Sequence, residues 1–254
     1  MKSENTIQIL ISRKVIFLKA LMLAFSILIA PQIFDVINET PVIATVVDDD
    51  EIFKDRFLRN AAFSVNSGDL VEILEDYSAL VYRVSINDNT GWIRAKNLEI
   101  PPDPPTDLSF APPALLEGFV NKNDFASKTE YLMLVDIARQ KLYIFTGEKN
   151  NWSLARVFDC STGLNTSPTT RGEFELTDRG NWFYSHRLAS GAKYWIRFNG
   201  NYLFHTIPMD EQKNPLPGED VVGVRLSNGC VRLLVDDMRF IYDSIPDATT
   251  VIIK

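Results

Sequence analysis

Four of the five residues from 101 to 105 are proline, in the order Pro101-Pro102-Asp103-Pro104-Pro105, and Pro112-Pro113 follows closely. Proline fixes φ and donates no backbone hydrogen bond, so neither a helix interior nor a central strand can run through this stretch. Whatever the chain builds must stop before Pro101 and start again beyond it. Proline-rich runs favour extended polyproline-II backbone and serve as semi-rigid spacers. A linker is therefore placed over residues 101–121, and 254 residues leave room for a compact unit on either side.

Both flanks read as strands. Between residues 41 and 100, Ser67-Gly68-Asp69 precedes Leu70-Val71-Glu72-Ile73-Leu74. Leu80–Ile86 follows, and the turn cluster Asn87-Asp88-Asn89-Thr90-Gly91 leads into Trp92-Ile93. Sixty residues of short strands and polar turns predict a small β-barrel. From 122 to 254, Tyr131–Ile137 and Lys141–Phe145 predict a hairpin around Ala138-Arg139-Gln140. Further strands are expected at Ser153–Ser161, Gly172–Leu176, Tyr194–Phe198, Tyr202–His205 and Thr250–Ile253. Asp236–Ile245 has acidic residues suited to a helix start and apolar residues at helical spacing, so one short helix is expected there. The fold class is mainly β.

Ahead of both units, the apolar run from Val15 to Phe34 is long enough, at about 20 residues, to span a bilayer, with Lys19 able to snorkel. Arg13 and Lys14 precede it, whereas Asp35, Glu39 and Asp48-Asp49-Asp50-Glu51 follow. The basic side should stay cytoplasmic, which assigns residues 1–40 to a tail and a transmembrane anchor and puts the later domains outside the cell membrane. A cleaved signal peptide is the alternative; Pro31 directly after Ala30 and the lack of a small-x-small site favour the anchor.

Composition narrows the chemistry. Lys and Arg total 26 against 33 Asp and Glu, a net charge of −7, which excludes a chain built to coat nucleic acid. There are two histidines, His186 and His205, and two cysteines, Cys160 and Cys230. They do not form the close pairs of a structural zinc site, and one bridge at most is available, so neither a metal centre nor a disulfide scaffold is expected.

Cys230 stands in Ser227-Asn228-Gly229-Cys230-Val231-Arg232, where Gly229 permits a tight turn and successive backbone N–H groups can meet an oxyanion. A thiol with a pKa near 8.5 is mostly protonated at neutral pH and needs a base, which only His205 or His186 can supply. His205 ends an apolar strand before Thr206-Ile207-Pro208. His186 lies in a loop-like stretch, Trp182 to Arg187, beside Ala189-Ser190-Gly191-Ala192. Cys160, inside an apolar strand, reads as a buried structural residue.

These residues resemble the catalytic domain of the L,D-transpeptidases, the YkuD-type or ErfK/YbiS/YcfS/YnhG family. The resemblance rests on His205-Thr206, on Ser227 to Arg232, on Ser161-Thr162-Gly163 with Ser167-Pro168-Thr169-Thr170-Arg171-Gly172-Glu173-Phe174, and on Val135-Asp136 with Gln140 to Phe145. Over residues 41–100, the Gly68-Asp69 strand, Tyr82-Arg83-Val84, Thr90-Gly91-Trp92-Ile93 and Asn97-Leu98 resemble the bacterial Src-homology-3-type domain, a module often attached to wall enzymes. The implied architecture is a Src-homology-3-like barrel followed, over 122–254, by an L,D-transpeptidase-type β-sandwich with a short helix after the cysteine.

The resemblance implies an enzyme acting on peptidoglycan stem peptides and glycan at the membrane. Cys230 is then the nucleophile, His205 the base, and Ser227, Asn228 and Gly229 the turn and oxyanion backbone. Arg232 supports the turn or a substrate carboxylate, while Thr206, Tyr184, Tyr194 and His186 are candidates for substrate contact. No metal or organic cofactor is implied, and carbapenems are implied as covalent inhibitors. Water as acceptor would make the same protein an L,D-carboxypeptidase, and a non-catalytic wall-binding protein is the other alternative. An NlpC/P60-type peptidase is disfavoured because its cysteine precedes its histidine. Two departures stand out: Asn228 where the family often has histidine, and a His205–Cys230 interval of 25 positions, with the excess placed in residues 210–218.

Overall fold

A computed structural model describes residues 36–254. The expected membrane anchor, Val15–Phe34, lies outside them. Among the described residues no helix is long and apolar enough to cross a membrane.

The first domain is one antiparallel seven-stranded sheet. Its strands are β1 (Val42–Val46), β2 (Asp50–Phe53), β3 (Ala61–Val65), β4 (Leu70–Tyr77), β5 (Val81–Ile86), β6 (Asn89–Arg94) and β7 (Leu98–Glu99), in the order β3-β2-β6-β5-β4-β1-β7. Alternation decides which side chains go inside: Val71 and Ile73 of β4 and Val84 of β5 join Ala44, Val46, Ile52 and Ile93 in a core of the domain's own. Asn87 and Asp88 connect β5 to β6 at φ of +48° and +62°, the left-handed pair that a two-residue hairpin demands and that Asn and Asp tolerate.

The second domain contains two sheets. α1 (Pro113–Lys122) leads into β8 (Tyr131–Asp136), β9 (Lys141–Glu148), β10 (Asn151–Asp159) and β11 (Gly172–Glu175). β12 (Arg179–Ser185), β13 (Ser190–Asn199), β14 (Tyr202–Thr206) and β15 (Val231–Leu233) follow, then α2 (Val235–Ser244) and β16 (Thr250–Ile253). One sheet runs β10-β9-β8-β16-β11 and the other β12-β13-β14-β15. The unbroken apolar run of β8 is explained by burial on both faces. Met133 and Val135 face the core shared with β14, β15 and α2, while Leu132 and Leu134 face a second cluster with Leu116 and Val120 of α1.

Two readings of the sequence need correcting. The segment assigned to the linker contains α1, because Pro113 occupies the first helical turn, where its missing N–H costs nothing, and Leu116 and Val120 then fall four apart on the buried face. Within the stretch read as loop-like, Trp182 to Ser185 belong to β12 and pair with β13, whereas His186 and Arg187 lie in the turn that follows.

The prolines also do more than separate. Thr106 Oγ1 donates to the Gly223 carbonyl oxygen at 2.9 Å, and Asp107 N–H donates to that of Ala138 at 2.8 Å. The buried Arg139 guanidinium donates to the Val36 carbonyl oxygen (2.7 Å), to Asp136 (2.8 Å) and to the Ser109 carbonyl oxygen (3.1 Å). Val36 and Ile37 themselves sit in the α1 cluster. The chain thus contacts the second domain both before it enters the first domain and after it leaves.

Candidate active site

Strand parity builds the site. β14 and β15 run parallel, with Phe204 opposite Val231, His205 opposite Arg232 and Thr206 opposite Leu233. Phe204, Val231 and Leu233 point into the core. Because neighbours on a strand alternate faces, His205 and Arg232 point the other way, and Cys230, two residues before Arg232, follows them. All three line one cleft of about 890 Å³.

The turn that carries Cys230 is fastened from beneath. Gly229 adopts φ of +95°, and a Cβ there would lie 2.2 Å from Tyr202 Cε1, so only glycine fits. Its N–H donates to Ser227 Oγ at 3.1 Å, and the Ser227 hydroxyl donates to the Cys230 carbonyl oxygen. Leu226 and Ser227 N–H both donate to the Thr162 carbonyl oxygen at 3.0 Å, while Arg232 and Ser161 exchange a pair of backbone bonds at 2.8 Å. Fully buried Gln140 holds this platform in turn. Its Nε2 donates to the Ile137 carbonyl oxygen (2.6 Å) and to Thr162 Oγ1 (2.7 Å), and its Oε1 accepts Thr162 N–H at 2.8 Å.

His205 is buried, with the Phe183 ring edge-on to it at a centroid distance of 5.7 Å. Its Nδ1 lies 2.5 Å from the Thr206 carbonyl oxygen, which can only accept, so Nδ1 carries the proton and Nε2 keeps its lone pair. Burial, opposed by the Thr206 bond and aided by the Arg232 charge, lowers its pKa to about 4. Burial raises the pKa of the Cys230 thiol, against a lowering by the Leu203 backbone and by the charges of Arg232 and Arg197. Both shifts favour the uncharged thiol and imidazole in the resting site. Cys230 and Cys160 are both free thiols, and burial raises the Cys160 pKa as well.

Arg232 pairs with Glu219 at 2.7 Å, which leaves its buried Nε without a partner among the described residues. The same pair ties down the long 208–220 segment. Met209 and Gly191 exchange backbone hydrogen bonds at 2.8 Å, so the extra residues before Cys230 are folded outside the site while His205 stays in the cleft.

Several expected contacts lie elsewhere. Thr206 is fully buried, its hydroxyl donating to the Ile207 carbonyl oxygen (3.1 Å) and accepting Lys193 N–H (3.0 Å). Tyr194 packs on Tyr242 of α2 at 5.5 Å, on the core side. Tyr184 stacks on Trp182 and meets His186 at 5.3 Å, and neither lines the cleft. On β12 it is Phe183, between Trp182 and Tyr184, that turns to the site. Gly229 N–H, expected among the oxyanion donors, is engaged by Ser227 Oγ. Sequence reasoning missed Phe183, Tyr202 and the cleft's opposite wall, which comes from β4 of the first domain through Glu72, Glu75 and Asp76.

The second domain is similar to known proteins. Residues 130–253 match the family of the L,D-transpeptidase catalytic domain, YkuD. Over 127 residues, 47% of this chain, it is 32% identical to YciB of Bacillus subtilis (strain 168), whose name offers it as an L,D-transpeptidase. The match spans 63% of that relative, so the chain covers less than two thirds of its length. A solved Clostridium acetobutylicum ATCC 824 structure, a fused zinc-dependent amidase, peptidase and peptidoglycan-binding domain protein, is 31% identical. It covers 56% of this chain and 59% of its own, with a TM-score of 0.47. The L,D-transpeptidase LdtMt1 solved with imipenem is 11% identical, covering 84% of this chain and 82% of its own, at a TM-score of 0.41.

Proposed function

We infer from the YkuD-type domain of residues 130–253 that this chain is a cysteine-dependent acyltransferase, and we propose that it cross-links peptidoglycan stem peptides. The carrying observation is that His205 of β14 and Cys230, immediately ahead of the parallel neighbour β15, line one cleft. A cleft of about 890 Å³ is at the large end of the range for ligand sites, as an extended peptide requires.

Neutral His205, with Nδ1–H held by the Thr206 carbonyl oxygen, offers Nε2 as general base. Cys230 Sγ forms a bond to the donor carbonyl carbon while its proton passes to His205. The carbonyl π pair moves to oxygen, where the N–H groups of Asn228 and Cys230 receive it. Collapse breaks the C–N bond to the terminal D-alanine, whose nitrogen takes the proton from His205. A stem-peptide amine then attacks the thioester, loses its proton to His205 and releases the thiol. Water in place of the amine gives a carboxypeptidase. We further propose that the Val15–Phe34 run anchors the chain with both domains on the outer face of the membrane.

The test is incubation of the wild-type protein and Cys230→Ala with a disaccharide tetrapeptide, products being read by mass spectrometry. A dimer lacking one D-alanine, absent with Cys230→Ala, is expected. Tripeptide alone would assign carboxypeptidase activity, and unchanged substrate would overturn the enzymatic reading.

A further inference from the structure

Loop 162–171 has no strand ladder of its own, yet Asn165, Ser167 and Thr169 in it are buried. A polar loop without ladder bonds belongs to the locally labile parts of a fold unless other groups order it. One side of this loop supports the cysteine turn. Thr162 accepts from Leu226 and Ser227, Leu164 N–H donates to the Ser227 carbonyl oxygen at 3.1 Å, and the Pro168 carbonyl oxygen lies 3.2 Å from the position of a Cβ on Gly229.

The other side is held by the first domain and the prolines. Tyr82 Oη donates to the Thr166 carbonyl oxygen at 2.6 Å, Ser167 Oγ donates to Asp76 Oδ2 at 2.9 Å, and Arg171 forms an ion pair with Glu72. Asn165 N–H donates to Asp103 Oδ1 at 2.6 Å, and Asn165 Nδ2 donates to the Pro101 and Pro102 carbonyl oxygens at 3.1 and 3.0 Å. A second link runs in parallel. The Tyr202 ring, against which Gly229 packs, carries its phenol beside Glu75 and Asp76 of β4, whose charges act on it.

We propose that the first domain is a positioning element of the acyl-transfer site, setting the Ser227–Cys230 turn through loop 162–171. The proposal rests on the acyltransferase reading of the site. Tyr82 is its cleanest probe, because its ring is buried in the first domain's core and it does not line the cleft. Tyr82→Phe removes the interdomain hydroxyl and keeps the ring. Glu72→Gln removes the ion pair.

The experiment uses the full chain and imipenem, following the covalent adduct on Cys230 by intact mass at a series of concentrations. Tyr82→Phe and Glu72→Gln are each expected to lower the saturating acylation rate at least fivefold. In Tyr82→Phe the half-saturating concentration should stay the same, and for both variants the melting temperature should remain above that of the assay. Arg171 also pairs with Glu39, so combining Glu72→Gln with Arg171→Gln should be no worse than Arg171→Gln alone. Wild-type saturating rates in Tyr82→Phe, with or without a folded Glu72→Gln, would overturn the proposal. So would a loss matched by the unfolded fraction. Failure of the wild-type protein to form any Cys230 adduct would instead overturn the acyltransferase reading, and this proposal with it.

Discussion

His205 donates its Nδ1–H to the carbonyl oxygen of Thr206, the next residue in the chain, and this short local bond selects the tautomer of a buried ring. With the pKa held down to about 4, chiefly by burial, the imidazole is neutral across the physiological range. The acid limb of the acylation rate is therefore expected near pH 4 rather than near 6.5, the ordinary value for histidine. A pH–rate profile measured with imipenem checks this, and an inflection near 6.5 would contradict it.

The same shift has a consequence for stability. Between about pH 6.5 and 4 the unfolded chain binds a proton at this histidine and the folded chain does not, so stability rises with pH across that window. It is fully present above the unfolded value and is lost as pH falls, by about 3 kcal/mol in total. Denaturant titrations at pH 7 and pH 4.5 should differ less in His205→Gln than in the wild-type protein.

Arg232 places a positive charge that disfavours the imidazolium and favours the thiolate. Arg232→Gln should accordingly move both limbs of the pH–rate profile upward. Separate titration of Cys230 alkylation would show the thiol limb moving alone, and a profile unchanged on both sides would remove Arg232 from the electrostatics of the site.

Gly229→Ala meets two obstacles at once, a φ of +95° and a Cβ placed 2.2 Å from Tyr202 Cε1. The backbone conformation alone costs about 1–2 kcal/mol. Thermal unfolding should show that loss, and acylation should fall at least tenfold because the turn carries Cys230, the proposed nucleophile. Near wild-type rates would show that the turn tolerates rearrangement.

Gln140→Leu keeps side-chain bulk while leaving without its acceptor the N–H of Thr162, the residue whose carbonyl oxygen supports the Ser227 turn. An unsatisfied buried amide costs about 1–3 kcal/mol. Chemical denaturation should report a loss of that order, whereas a variant as stable as wild type would mean that water replaces the amide.

Rarity made His205 and Cys230 legible in the sequence: with two residues of each kind, a strand-end histidine and a glycine-flanked cysteine were few enough to isolate. β14, β16 and α2 were legible too, because their apolar spacing survives into the folded core. α1 was hidden by prolines that normally break helices but here begin one. Tyr184 and Tyr194 illustrate another limit. Which face of a strand meets the cleft depends on pairing register, and one step along β12 exchanges Tyr184 for Phe183. The β4 wall was inaccessible for a different reason, since no local pattern in residues 70–77 records that they dock beside residues 165–171.

The grip of Arg139 on Val36 at one end and Ser109 at the other makes the first domain, in mechanical terms, a loop of chain pinned at both ends to the same body. A pull applied to the chain ahead of Val36 would therefore load the α1 cluster of the second domain before any strand of the first domain felt tension.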